Sequence, residues 1–348
     1  MKIFCDMHHH MLYYSLQLLL ENRLGHELYR PIGEEWFTNG YWKIADIYGG
    51  SPETIAQYLQ IRHAIPTKMG PRNIVKEELD DYYLIEDKYK DQKALTYAQF
   101  MANPPDVVIA SYFGDIECYR ELAQKVGAKF VVQMGNAWPV DWNTIDNLLA
   151  STAKFDVPQG KNAVFYHQEF GLNTFKYEPP QESKYIRSMV HCLPEHEIYK
   201  QDWIEFQELE KMLSEYKFES YGISCREGTV QEQEIVAEKM RESLWGFHLK
   251  SGGDGYGHVI HTWFATGRPL SYRGSQYAGK LGGQLLEHEV TGLDLDKISL
   301  QSVAQKVREY EGNGRYAIMC ANVYQKFTDI VDFDKEAEGI SNFLTGLK

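Results

Sequence analysis

The sequence lacks long apolar runs and paired cysteines. No apolar run approaches the roughly 18 residues of a membrane-spanning helix, and no signal peptide precedes the first apolar segment. The cysteines contain no C-x-x-C pair, and an odd, scattered set is typical of a reduced intracellular chain. We therefore expect a soluble cytoplasmic protein without a transmembrane segment. The five cysteines are Cys5, Cys118, Cys192, Cys225 and Cys320.

Basic residues are also in deficit. The chain has 36 Lys and Arg against 49 Asp and Glu, which gives a formal net charge of −13. This balance disfavours a large nucleic-acid-binding surface, although it leaves room for a locally basic cleft. Apolar residues make up 43% of the 348 positions, which is enough for buried sheets, and this length favours two domains over one.

An apolar strand, an amphipathic helix and a second strand recur along the chain. The first such unit covers residues 2–30, with Gly25 ending its helix, and the second covers 106–136. The alternation resumes over 184–272, and helices are expected from there to residue 348. Such alternation predicts an α/β protein with two doubly wound parallel sheets. Pro179 and Pro180 lie in the polar stretch "LNTFKYEPPQES", which we interpret as the linker between them.

The segment "SGGDGYGHVIH" is the most informative in the chain. Its glycines allow the backbone to approach a ligand closely, and the helix predicted to start near His258 offers free N–H groups. These features predict a diphosphate site that needs no metal, to which Lys250, Arg226 and Lys280 could add charge. The alternative is a glycine-rich turn that caps an ordinary helix.

The segment "DMHHH" directly follows the first predicted strand. Asp6, His8 and His10 could aim at one ion from the end of that strand, and His258 and His261 form a second pair of candidate ligands. A metal-dependent hydrolase is therefore one hypothesis, although no H-E-x-x-H motif accompanies it. The other hypothesis is a loop whose imidazoles act through hydrogen bonds.

Several segments, in order, resemble GT-B glycosyltransferases, especially those of glycosyltransferase family 4. "GDGYGHVIHTWFATGRPL" is similar to the E-G-F-G-x-x-x-x-E-A-M-A-x-G-x-P signature, and "LLLENRLGHELYRP" resembles the first helix and second strand. "NAVFYHQEFGLNTFKYEPP", "LLEHEVTGLDLD" and "GRYAIMCANVYQKFTDIVDF" resemble the end of the first domain, the D-G-V-T-G-L-L-V segment and the C-terminal helices. The resemblance covers most of the chain except residues 31–105.

The resemblance implies two Rossmann-like domains that face a central cleft. We expect an N-terminal, acceptor-side domain over 1–178, with 31–105 as an inserted variable region. A nucleotide-sugar-binding domain is expected over 182–325, followed by helices over 326–348 that cross back to the first domain. A hinge would lie in the proline-rich linker.

The implied activity is transfer of a sugar from a nucleotide-diphosphate sugar to an acceptor hydroxyl. The resemblance implies retention of anomeric configuration without a metal or another cofactor. Asp254 aligns with the first glutamate of the signature, and Thr262 stands where the family has its second. The family's Arg and Lys pair after the first strand of the second domain is not evident, with only Lys200 near that place.

The candidate site residues follow from this alignment. His10 and Asp254 are the candidate catalytic residues, and His8, His9 and Asn136 the candidate sugar or acceptor contacts. The candidate donor-binding residues are Arg226, Lys250, Gly255, Tyr256, Gly257, His258, Val259, His261, Thr262 and Lys280.

Other functions stay open at this point. A nucleotide-sugar epimerase or a non-catalytic nucleotide-binding protein could share the fold, as could a phage-type glycosyltransferase that acts on modified DNA bases. The metal-dependent hydrolase is the fourth alternative. The acceptor could be a glycan, a small molecule or a modified nucleobase, and the sequence predicts no oligomeric state.

Overall fold

The computed structural model describes residues 1–7, 10–31, 93–95, 97–112, 116–137, 139–191, 193–194, 197–230, 232–251, 253–312 and 314–347. Most of the predicted insertion over 31–105 lies outside these residues. So do His8 and His9, together with the side chain of His10.

The first sheet is parallel and has its core on both faces. Its strand order is β3-β2-β1-β4-β5-β6-β7, so the chain reverses its direction of growth between β1 and β4. Every residue of β4 is buried, which explains its continuous apolar run. The strands are β1 (Lys2–Asp6), β2 (Glu27–Pro31), β3 (Ala94–Leu95), β4 (Val107–Ser111), β5 (Lys129–Met134), β6 (Asn147–Ala150) and β7 (Asn162–Phe165).

The second sheet is also parallel, with the order β12-β11-β10-β8-β9. Here the order reverses between β8 and β10, and all six residues of β10 are buried. The strands are β8 (Tyr185–Ser188), β9 (Lys217–Ser220), β10 (Ser243–His248), β11 (Leu270–Tyr272) and β12 (Gly292–Asp294). The two sheets confirm the predicted fold class.

Helices connect the strands and follow the second sheet. The first helix continues as a π-helix over Gln17–Arg23, and Gly25 after it adopts a φ of +65°, which suits the predicted glycine stop. The helices are α1 (His10–Leu16), α2 (Tyr97–Ala102), α3 (Ile116–Val126), α4 (Lys200–Met212), α5 (Gln233–Glu242), α6 (His258–Ala265), α7 (Leu300–Gly312), α8 (Arg315–Ile330) and α9 (Phe333–Thr345).

Three short strands depart from the sequence predictions. The first is Ala94–Leu95, which forms β3 beside β2 although it lies within the predicted insertion. The expectation of helices from residue 273 onwards is wrong at Gly292–Asp294, which forms β12 beside β11. The sequence also gave no prediction of β6, which pairs with both β5 and β7. A strand of three or four residues is too short to show a period, and its identity depends on pairing partners that are remote in sequence.

The C-terminal helix contacts the chain that follows β7. The Phe333 ring of α9 lies edge-on against Phe170 with centroids 5.6 Å apart, and Glu336 Oε1 lies 2.5 Å from His167 Nδ1. The linker is held by the second sheet's helices, because Arg241 Nη1 donates to the Thr174 carbonyl at 2.7 Å. The domain limits given above stay predictions.

Candidate functional site

The candidate site lies where β10 ends, at the point where strand order reverses in the second sheet. Ligands of open parallel sheets bind beyond the carboxyl ends of the strands at such a reversal. The chain leaves β10 at His248, forms the glycine-rich loop and enters α6 at His258. Asp254 and the start of α6 are therefore placed beside the reversal point by the sheet itself.

Gly257 sets the geometry at the start of α6. It caps the helix with φ +78° and ψ +43°, a left-handed conformation that glycine adopts without strain. The Nδ1 atom of His261, one turn later, lies 2.9 Å from the Gly257 carbonyl oxygen and donates to it. The His261 ring also stacks on Tyr256, with centroids 4.0 Å apart. The first amides of α6 are thus held in place by the helix's own side chain.

Gly255 brings the loop against the first sheet. A Cβ atom added at Gly255 would overlap both the Asn136 side-chain oxygen and the Gly135 carbonyl oxygen. Asn136 follows β5, so the contact joins the carboxyl-end loops of the two sheets. The structure therefore places the predicted Asn136 beside the glycine-rich loop, and only a residue without a side chain fits at position 255.

Asp254, the carboxylate of the glycine-rich loop, has three polar side chains close to its oxygens. Lys250 Nζ lies 3.0 Å from its Oδ1, and the Tyr277 hydroxyl donates to its Oδ2 at 3.3 Å. The His248 Nε2 atom is 3.8 Å from Oδ2 and 2.7 Å from the Tyr277 oxygen. Burial alone would raise the pKa of Asp254, but the adjacent His248 imidazole and Lys250 ammonium outweigh it and hold that pKa well below its usual range.

A buried carboxylate supports the loop from below. Asp202, which is 1% exposed on α4, accepts hydrogen bonds from the Ser251 amide at 2.7 Å and the Ser251 hydroxyl at 2.5 Å. Gln276 completes the frame, because it accepts from the Lys250 amide at 2.9 Å. The path of the loop is therefore fixed by side chains from two other segments.

The fold of the whole chain was compared with known proteins. The sequence matches no protein-family model and no curated protein. Among solved structures, it is similar to Anabaena HepE in complex with UDP, with 12% identity, a TM-score of 0.56 and 100% of both chains covered. It is also similar to a glycosyltransferase from Rickettsia africae, with 11% identity, a TM-score of 0.61, and 99% of this chain and 97% of that chain covered. This chain has the GT-B fold.

Within the GT-B fold, several of the predicted donor-binding residues lie together at the start of α6. Lys280 reaches the loop from the segment after β11, where its Nζ donates to the Asp254 carbonyl oxygen at 2.6 Å. His258 lies at the first position of α6 against Phe170, with ring centroids 5.5 Å apart. Val259, the next residue, is half-buried.

Two predicted donor-binding residues are engaged within the protein. The Thr262 hydroxyl donates to carbonyls of its own helix, at 3.0 Å to Val259 and 3.3 Å to His258. Arg226, in the loop after β9, forms a two-bond pair with Glu210 at 2.7 and 3.0 Å. The proton of the Thr262 hydroxyl and the charge of the Arg226 guanidinium are therefore already engaged within the protein.

The predicted histidine cluster at the end of β1 lies largely outside the described residues. His10 begins α1, and Asp6 ends β1 with its carboxylate accepting a 2.7 Å hydrogen bond from the Tyr119 hydroxyl. The roles of His8, His9 and His10 stay predictions. Among the residues that the structure describes, no three His, Cys, Asp or Glu side chains are arranged to hold a metal ion. The described helices are all too short or too polar to cross a bilayer.

Four residues of the site were not identified from the sequence: Asp202, His248, Tyr277 and His191. His191 follows β8 at the reversal point, and its Nδ1 accepts from the Ile223 amide at 3.1 Å, which leaves the proton of the neutral ring on Nε2. Burial and the nearby Lys250 charge lower its pKa. His191 thus offers an N–H donor, and a polar residue directly after a predicted strand was the one available signal.

Proposed function

We propose that this protein is a glycosyltransferase that moves a sugar from a nucleotide-diphosphate sugar to an acceptor hydroxyl. The observation that carries the proposal is Asp254: an ionised, nearly buried carboxylate that lies three residues before a glycine-capped helix start. The structures of HepE with UDP and of HepE with UDP-glucose, on a similar fold, support the choice of donor class.

The start of α6 would hold the donor diphosphate. The amides of Gly257, His258 and Val259 lie at the start of α6 and form the positive end of its helix dipole, which would stabilise an anion. Lys250 and Lys280 flank the loop and would neutralise charge on the departing nucleoside diphosphate. Since these groups supply the charge stabilisation, we propose that transfer needs no metal.

Asp254 would accept hydrogen bonds from the donor sugar. Its ionised state makes each such bond charge-assisted, and these bonds would hold the anomeric carbon towards the acceptor hydroxyl. In the transfer step the bond from the anomeric carbon to the diphosphate oxygen breaks, a bond to the acceptor oxygen forms, and the proton of the acceptor hydroxyl passes to the departing diphosphate. We propose retention of configuration, with His10 as the second catalytic residue and His8, His9 and Asn136 as contacts to sugar or acceptor.

A screen of nucleotide sugars tests this proposal. The protein is incubated with each donor, and mass spectrometry records binding, hydrolysis and transfer to candidate acceptors. Asp254→Asn should keep affinity for the free nucleotide and lower turnover by on the order of a hundredfold. Asp146→Asn removes an exposed carboxylate that pairs with Lys161 and serves as the matched control. Equal turnover in all three proteins would exclude Asp254 from the reaction.

A non-catalytic nucleotide-binding protein is the second candidate. It is favoured by Thr262, which stands where the resemblance has a carboxylate and whose hydroxyl is taken up by carbonyls of α6. The same screen separates the two candidates. Binding of a nucleotide with neither hydrolysis nor transfer of any donor would favour this second candidate.

A further inference from the structure

A cavity of 420 Å³ is lined by Tyr277, whose hydroxyl donates to Asp254, and by Tyr272 and Asp294. Its other lining residues come from the segments that follow β11 and β12, together with Lys154 from the segment between β6 and β7. The Ala153–Lys280 bridge between the two halves of the chain forms part of its border. The volume is in the range of small-molecule sites.

Two oxygen atoms in the cavity wall have no hydrogen-bond partner among the described residues. Tyr272 is 1% exposed, and its hydroxyl makes no hydrogen bond within the described part of the chain. Asp294 is 5% exposed, and its Oδ1 accepts from the amides of Gly274 and Asp296, both at 3.0 Å. No described donor reaches its Oδ2. Both oxygens are open to the cavity, so the Asp294 carboxylate can accept from a ligand hydroxyl and the Tyr272 hydroxyl can donate to one.

The rim of the same cavity carries positive charge. Lys154 and Lys297 are exposed and pair with no carboxylate of the described residues, and Lys280 donates only to backbone carbonyls. Glu287 also lines the cavity, but its carboxylate lies 3.1 Å from Lys326 Nζ. The cavity therefore combines a buried hydroxyl-binding end with a cationic mouth.

We propose that this cavity binds a sugar that carries an anionic group, a phosphate or a carboxylate. Asp294 Oδ2 would accept from a sugar hydroxyl, the Tyr272 hydroxyl would donate to a neighbouring one, and Lys154 and Lys297 would bind the anionic group. Among the described residues, neither Tyr272 nor Asp294 hydrogen-bonds to the glycine-rich loop, so a nucleotide donor at α6 would leave both side chains free. The proposal goes beyond glycosyl transfer and holds even if the protein catalyses none.

Calorimetry with glucose 6-phosphate tests the proposal on the full-length protein, with UDP in excess to occupy the α6 site. Glucuronate shows whether a carboxylate serves as well as a phosphate, and glucose and inorganic phosphate each lack one half of the recognised chemistry. We expect either or both of the anionic sugars to bind at millimolar concentration or below, and glucose and phosphate to bind at least about tenfold more weakly. Equal affinity for glucose or for phosphate would overturn the ligand class, and no binding of either anionic sugar would overturn the site.

Variants locate the binding. Asp294→Asn keeps the Oδ1 contacts and replaces the unpartnered acceptor with a donor, so it should weaken glucose 6-phosphate binding by about tenfold. Tyr272→Phe and the double change Lys154→Gln with Lys297→Gln should each weaken it by several-fold. Lys129→Gln, at the amino end of β5, and Asp254→Asn are the matched controls and should leave it unchanged. A loss in Asp254→Asn equal to that in Asp294→Asn would place the sugar in the donor site and refute the proposal.

Discussion

Two aspartates near Tyr277, the half-buried Asp254 and the buried Asp294, differ in how their oxygens are used. Both side-chain oxygens of Asp254 have partners, Lys250 at Oδ1 and Tyr277 at Oδ2. Asp294 uses Oδ1 for two backbone amides and leaves Oδ2 without a described donor. A ligand hydroxyl at Asp254 would share an oxygen that already has one partner, whereas at Asp294 Oδ2 it would be the first partner. The first arrangement suits a group that acts on a reacting sugar from a fixed position, and the second suits a binding contact.

The largest effect is expected at Gly257. Gly257→Val puts a β-branched side chain at φ +78°, and its Cβ would lie 3.5 Å from Ile260 and 3.6 Å from Tyr277. The start of α6 should therefore shift, and UDP affinity should fall by about a hundredfold while glucose 6-phosphate binding survives. Gly160→Val imposes similar strain at φ +85° in a remote turn and is the control. Unchanged UDP affinity in Gly257→Val, measured by calorimetry, would contradict the placement of the donor.

The sequence predicted the framework of this site better than its contacts. The periodic pattern and the glycines placed Asp254 just before a helix at His258, as the structure has it. Tyr277 and Asp202 were not predicted, because they reach the loop from 23 and 49 residues away. Their approach depends on which strands are neighbours in the sheet, and no local pattern records that.

The basic residues of the sequence did not show by themselves which of them lie at the donor site. Lys280 and Arg226 are both predicted at the donor site because they are basic and could form charge-assisted bonds. Lys280 lies at the loop, whereas Arg226 pairs with Glu210 on α4. A basic side chain pairs with whichever carboxylate the fold places beside it. The sequence alone therefore does not distinguish a basic residue that contacts a ligand from one in an internal ion pair. The unpartnered oxygens of Tyr272 and Asp294 likewise emerge only from the packed structure.

The next largest effect concerns the stability that each aspartate supplies. Asp254→Asn removes the nearly buried carboxylate charge that pairs with Lys250. It should lower the free energy of unfolding by about 2 kcal/mol at neutral pH. Asp294→Asn retains its bonded Oδ1 and should cost about half as much. Urea denaturation of both variants measures the difference. A larger loss in Asp294→Asn would reverse the comparison between the two carboxylates.

A smaller effect should appear in the pH dependence of stability. Burial and the neighbouring His167 hold the pKa of His261 well below its ordinary value, so the native state stays unprotonated where the unfolded state takes up a proton. The free energy of unfolding is therefore unaffected by His261 above the unfolded-state pKa of about 6.5, and it decreases as the pH falls below that value. Between about pH 7 and pH 5.5 the free energy of unfolding should fall by about 1 kcal/mol more in the wild type than in His261→Asn.

His288 provides the control on the Asp294 side. Its pKa is also lowered, chiefly by burial, but the neighbouring Glu289 opposes that shift. His288→Asn should therefore keep most of the wild-type slope of unfolding free energy against pH. If the His288 variant lost more of that slope than the His261 variant, the titrating group would lie beside the cavity instead of the glycine-rich loop.

The smallest effect is expected at Tyr272. Tyr272→Phe removes a hydroxyl that has no described partner, so the free energy of unfolding should change by no more than about 0.5 kcal/mol. Tyr277→Phe is the matched change at the other tyrosine that lines the cavity. It breaks hydrogen bonds of 2.7 Å to His248 and 3.3 Å to Asp254. That variant should lose about 1 kcal/mol, because it leaves two buried groups short of a partner. Urea denaturation of the two Phe variants side by side gives the comparison without any ligand. An equal loss in both would mean that the Tyr272 hydroxyl is already satisfied, and the cavity would then lose one of the two atoms that make it a sugar site.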